Sequence, residues 1–206
     1  MITQEKVSVG LTQFIDFTIK GSAAKTNMVR KIKYQHKYHP SFDYWKQLRD
    51  AIIAFHEQNL GFDYFEKLVQ NVDDRKKSNY IAMIKQYQKF LKNKDISWFH
   101  PGKATWVSNE LLVRSTPELG LIINDEPYLI KLYFKGNREK IDRRNISTTL
   151  TLLNTSIYEE SHAPYISRSV LNLNKNKLFT DNTVNQDKLI ALQSEAAQFM
   201  FIWNNI

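Results

Sequence analysis

Glu118 and Lys131 are the two residues whose types and spacing most invite chemistry in this chain. They bracket the run Glu118-Leu119-Gly120-Leu121-Ile122-Ile123-Asn124-Asp125-Glu126-Pro127-Tyr128-Leu129-Ile130-Lys131-Leu132-Tyr133-Phe134-Lys135. If Asn124-Asp125 form a two-residue turn, Ile123 faces Glu126, and the same register carried backwards sets Glu118 opposite Lys131. One face of such a hairpin carries Leu119, Leu121, Ile123, Tyr128, Ile130, Leu132 and Phe134, a core face. The other carries Glu118, Gly120, Ile122, Leu129, Lys131, Tyr133 and Lys135, which is mixed. A carboxylate beside an ammonium on a sheet can serve as a reactive pair or as a plain cross-strand ion pair, and both readings stay open.

Cations supply the second kind of chemistry. Lys20 to His39 holds Lys25, Arg30, Lys31, Lys33 and Lys37 without one acid, interleaved with Tyr34, His36, Tyr38 and His39. Cations among aromatics suit phosphate contacts combined with base stacking. Lys85, Lys89 and Lys92 fall on one side of a predicted helix, opposite its apolar stripe, where a solvated face is the simpler reading. Arg138, Lys140, Arg143 and Arg144 open another predicted helix, where cations oppose the macrodipole and so hint at an anionic partner. The five histidines show no metal-ligand spacing, and no P-loop or dinucleotide fingerprint occurs. Glu160, Ser161 and His162 are neighbours in sequence, which is seldom how a triad is assembled.

The elements that must position these groups follow from periodicity. Val7–Lys20 alternates in part and predicts a strand, Gly21–Asn27 a turn, and Met28–Tyr38 a second extended piece. A helix is predicted from Ser41 to about Leu60, stopped by Gly61 and carrying the stripe Trp45, Leu48, Ile52 and Phe55. A short helix begins at Asp63, and a third runs from Asp73 or Asp74 to about Asn93 with Tyr80, Ile84, Tyr87 and Leu91 inward. Beyond a loop at Trp98–Gly102, strands are predicted at Thr105–Arg114, Leu119–Ile123 and Pro127–Lys135. A helix over Glu139–Ile157, a strand over Tyr165–Leu173, a short extended Leu178–Thr180 and a terminal helix from Gln186 complete the chain. The fold class is therefore α+β: a helical N-terminal half on an antiparallel meander with flanking helices, αβββαβα in the second half. The expectation is a single compact body over 1–206, with a change of character from 1–95 to 96–206.

A helix, a three-strand antiparallel meander, a helix and a fourth strand resemble the core of the PD-(D/E)xK nuclease-like superfamily. Pro117-Glu118 is similar to its first acidic element, and Lys131 to the lysine of its acid-x-lysine triplet. The resemblance implies catalytic roles for Glu118 and Lys131, with Glu118 holding Mg²⁺ and the lysine orienting the attacking water. The triplet here reads Leu129-Ile130-Lys131, with an apolar residue in the place of the second carboxylate. Asp125 and Glu126 sit at the turn, more than ~15 Å along the strand from Lys131.

Composition bounds the function. The 206 residues are 42% hydrophobic with a formal charge of +8. The absence of Cys excludes disulfides, thiolate zinc sites and cysteine nucleophiles. No leader pattern or spanning apolar run is visible, so a cytoplasmic protein without membrane association is expected. The excess of cations makes nucleic acid the expected partner, bound on a degenerate nuclease-like core. The alternatives are an Mg²⁺-dependent nuclease and a protein-interaction or regulatory module that binds an acidic partner.

Overall fold

The central hairpin forms as its turn residues dictate. Asn124 and Asp125 both adopt positive φ, 50° and 68°, which is the two-residue turn whose twist matches paired strands. Strand β5 (Leu119–Ile123) therefore pairs antiparallel with β6 (Glu126–Tyr133), Leu119 opposite Ile130 and Ile123 opposite Glu126. The computed structural model describes residues 6–35, 43–135 and 141–206, and confirms the α+β class. The hairpin lies inside a five-stranded mixed sheet ordered β2-β5-β6-β8-β9, with β2 at Ile96–Phe99, β8 at Ser167–Asn172 and β9 at Lys177–Thr180. Here β2, β5 and β6 are an antiparallel meander, while β6 and β8 are parallel.

The first strand of that meander is Ile96–Phe99, not Thr105–Arg114. The latter folds instead into two strands, β3 (Ala104–Ser108) and β4 (Leu111–Arg114), reversed at Asn109 with φ 49°. With β1 (Val7–Gly10) and β7 (Ile157–Tyr158) they make a second sheet, β1-β4-β3-β7, in which β1 runs parallel to β4. At the Phe99–Gly120 pair of the first sheet, a Cβ on Gly120 would stand 2.4 Å from the Phe99 carbonyl oxygen. Only glycine lets β2 and β5 close there.

The N-terminal expectations need correction. Only Val7–Gly10 is strand; Leu11–Thr18 is helix α1, because Leu11, Phe14 and Ile15 follow a helical period that the Ile15/Phe17/Ile19 alternation masks. The Gln13 side chain accepts the Gly10 N–H at 2.8 Å and fastens that start. Most of the expected turn, and the second extended piece up to Lys33, are helix α2 (Ser22–Lys33), burying Lys25, Val29 and Ile32 on one face; His36–Tyr38 lie outside the described residues. Helices α4 (Asp63–Asn71) and α5 (Asp74–Leu91) stand where periodicity sets them, whereas α3 (Lys46–Glu57) begins only at Lys46, the expected cap Ser41 lying outside the described residues. Helix α3 is stopped by Asn59 in the left-handed region, not by Gly61. Asp73 caps α5 by accepting the Arg75 N–H at 2.9 Å. Helix α6 covers only Ser147–Thr155, and α7 spans Gln186–Asn204.

Two apolar cores result. One face of the larger sheet, with Leu119, Leu121, Ile130, Leu132 and Leu171, packs against α3, α4 and α5 through Leu48, Ile52, Phe65, Tyr80 and Tyr87. The other core joins α1, α2, α6 and α7 to the smaller sheet, with Phe14, Phe17, Trp106 and Phe199 at its centre. Both cores draw on residues from 1–95 and from 96–206. Among the described residues no helix is long and apolar enough to cross a membrane.

Candidate functional site: a basic cleft on strand β6

Side chains two apart on a strand share a face and stand ~6.6 Å from one another. Lys131 and Tyr133 of β6, with Lys135 two residues past its end, line a cleft of about 1090 Å³ walled by α1, α2 and the length of α3. The Lys131 ammonium pairs with Glu118 Oε1, both side chains being about nine-tenths buried. Glu118 Oε2 accepts the Leu132 N–H at 2.8 Å. One strand position along, Tyr133 OH donates to Asp16 Oδ1 at 3.1 Å, and the Lys135 ammonium pairs with Asp16 Oδ2. Asp16 is buried on α1 among Phe14, Ile15 and Phe17. Arg49 on α3 donates to Asp43 at 2.8 Å. Burial pulls its pKa down, but that bond and the charges of Asp43, Glu118 and Asp50 hold it above the ordinary arginine value.

Seven Lys and Arg side chains line the cleft against four Asp and Glu. Three of the acids are consumed by Lys131, Lys135 and Arg49. Lys31, Lys103 and Arg114 are exposed on the cleft and make no ion pair among the described residues; Arg114 donates only to Ser8 Oγ, at 2.6 Å. This is a surface with positive charge to spare.

The sequence-derived candidates divide accordingly. Glu118 and Lys131 meet as the register requires. Lys31 joins them on the cleft wall, and Arg30 is exposed nearby on α2, bonded to Asn27. Lys25 and Lys33 are removed from the phosphate-binding set. Lys25 is buried on Glu195 at 2.6 Å and Gln198 at 2.9 Å, and Lys33 donates to the carbonyls of Trp203 and Ile206 at 2.6 and 2.8 Å. Both fasten α2 to α7. Lys37 and Arg138 lie outside the described residues. Arg143 and Arg144 are exposed, but in a turn organised by Asp142, ahead of α6 and not in its first turn, so the helix-dipole inference no longer holds. Lys85, Lys89 and Lys92 sit on a separate groove that shares no residue with the cleft. Glu160 pairs with His100 at 2.9 Å, while His162 packs on the Tyr158 and Phe99 rings, so this loop forms no triad.

Asp16, Lys103 and Arg114 were not picked out from sequence. A carboxylate flanked by Phe14, Ile15 and Phe17 was the available signal for Asp16, since a charge in an apolar run must find a buried partner.

A divalent ion held by Glu118, as the nuclease resemblance implies, finds no fitting donor set here. Each Glu118 oxygen already accepts from a protein donor, Leu129 is buried where a second carboxylate would stand, and no three His, Asp or Glu side chains converge among the described residues. Compared with known proteins, the chain matches no family model and no curated protein sequence.

Proposed function

We propose that the protein binds nucleic acid in this cleft, through its phosphates and without a catalytic metal, on a nuclease-like core. The carrying observation is the set Lys31, Lys103 and Arg114, exposed on one concave surface with no acid paired to them among the described residues. Phosphate contacts by such side chains are sequence-independent and release counterions, so affinity falls steeply with salt. The core assignment is supported by the β2-β5-β6 meander followed by the parallel step from β6 through α6 to β8. Glu118 then serves to hold Lys131 in place, and Asp16 to hold Lys135, so that the floor stays ordered beneath the bound backbone. Tyr44, Trp45 and Trp98 line the cleft too, but Trp45 is stacked between Tyr80 and Phe134 and Trp98 lies against His56, which leaves phosphate contact as the main source of affinity.

The test is fluorescence anisotropy with a labelled 24-nucleotide DNA strand, its RNA counterpart and a 24-base-pair duplex. Binding weakened tenfold or more by Lys31→Ala/Lys103→Ala/Arg114→Ala supports the reading. Equal binding by that variant and wild type, or no binding by wild type at 50 mM salt, removes it.

A further inference from the structure

Helix α5 carries a second charged surface that the cleft does not use. Between Asp74 and Asn93 the chain has no acid, and Lys85, Lys89 and Lys92 follow the i, i+4, i+7 spacing of one helix face. Like charges at that spacing destabilise a helix, so the fold gains nothing from the row itself. None of the three makes an ion pair among the described residues. With Gln86 and Gln88 they line an open groove of about 660 Å³ whose apolar members are Phe62, just ahead of α4, exposed Ala82 and half-buried Leu91 of α5. Phe62 is 45% exposed, although the neighbouring Phe65 is buried in the core. An exposed ring edged by uncompensated lysines is the chemical complement of an amphipathic segment with acidic flanks.

We infer that this groove docks an acidic amphipathic segment of a partner protein, its apolar residues on Phe62, Ala82 and Leu91 and its carboxylates on Lys85, Lys89 and Lys92. A nucleic acid strand fits the groove less well. It offers a single accessible ring for stacking, and Ala82 and Leu91 provide apolar volume that phosphates do not need. The site shares no lining residue with the cleft.

Selection from a phage-displayed peptide library on the immobilised full chain tests the inference. We expect enriched peptides to carry Asp or Glu around Leu, Phe or Trp. A synthetic copy of the most enriched one should bind at least tenfold more weakly to Lys85→Glu/Lys89→Glu and to Phe62→Ser, with Arg114→Ala unchanged. All four positions are exposed, and urea midpoints confirm that the variants fold. No enrichment, peptides without acids, indifference to both groove variants, or displacement by a 24-nucleotide DNA strand in the Arg114→Ala background would each overturn it. The last outcome would assign the groove to nucleic acid instead.

Discussion

Glu118 and Lys131 illustrate how a buried charge depends on its partner. Taking one away strands the other in a site that water barely reaches, at a cost of about 3 kcal/mol. We therefore expect Glu118→Gln and Lys131→Met each to lose roughly that much stability by urea denaturation, with the double variant losing less than the sum. Gln keeps an acceptor for the Leu132 N–H, so the single change isolates the ion pair. Single variants within about 0.5 kcal/mol of wild type would show that water reaches the pair. His56 gives a second residue-scale expectation. Burial against Tyr87, whose hydroxyl lies 2.5 Å from its Nε2, lowers its pKa to about 4. Between about pH 6.5 and 4 the unfolded chain binds a proton at this residue that the folded chain refuses. Its contribution is thus intact above pH 6.5 and lost on acidification, with a slope of up to about 1.4 kcal/mol per pH unit. Denaturation of His56→Gln across that range should lack this component; an identical pH profile for the two proteins would refute the assignment.

At the scale of elements, two contacts hold the architecture. Gly120→Ala drives a Cβ into the Phe99 carbonyl, and we expect it to cost about 1–3 kcal/mol and to loosen β2, read as faster amide exchange at Ile96–Phe99. Lys25→Met should cost about 2 kcal/mol by releasing Glu195, while leaving the salt dependence of nucleic-acid binding untouched. A change in that slope would return Lys25 to the binding surface. These elements also mark how far sequence carried. The Asn124-Asp125 turn fixed a register, and the register brought Glu118 onto Lys131 before any coordinates were needed. Helices α3, α5 and α7 each present an apolar stripe that the helical period alone identifies. Helix α1 was missed because eight residues rich in Phe and Ile satisfy both periods. Helix α2 was missed because Lys25 counts as polar in a pattern although its stem and ammonium are buried. Tyr133 and Lys135, the partners of Asp16 at the end of β6 and just past it, are more than a hundred residues away, and no local signal points to them.

For the whole molecule, the total charge was a weaker guide than its placement. Lys25 and Lys33 belong to the densest basic segment, and both are spent on internal contacts. What remains is partitioned between a cleft and a groove that do not overlap. If three phosphates are met by Lys31, Lys103 and Arg114, raising salt from 50 to 200 mM should weaken nucleic-acid binding by roughly 20- to 40-fold through these contacts. Anisotropy titrations at four salt concentrations give that slope. It should flatten in the triple variant, and parallel slopes for the two proteins would place the contacts elsewhere.

The parallel pairing of β1 with β4, and the stacking of Phe17 edge-on to Phe199 at 5.1 Å, have a consequence for synthesis. The first strand emerges from the ribosome roughly a hundred residues ahead of its hydrogen-bonding neighbour. The aromatic side chains of α1 wait longer still, until α7 arrives to cover them. Until α7 has been made, β1 and α1 are therefore an adhesive surface in need of shelter. Nascent chains arrested before α7 should be captured by hydrophobic-binding chaperones and cut by proteases, whereas the released chain should resist both.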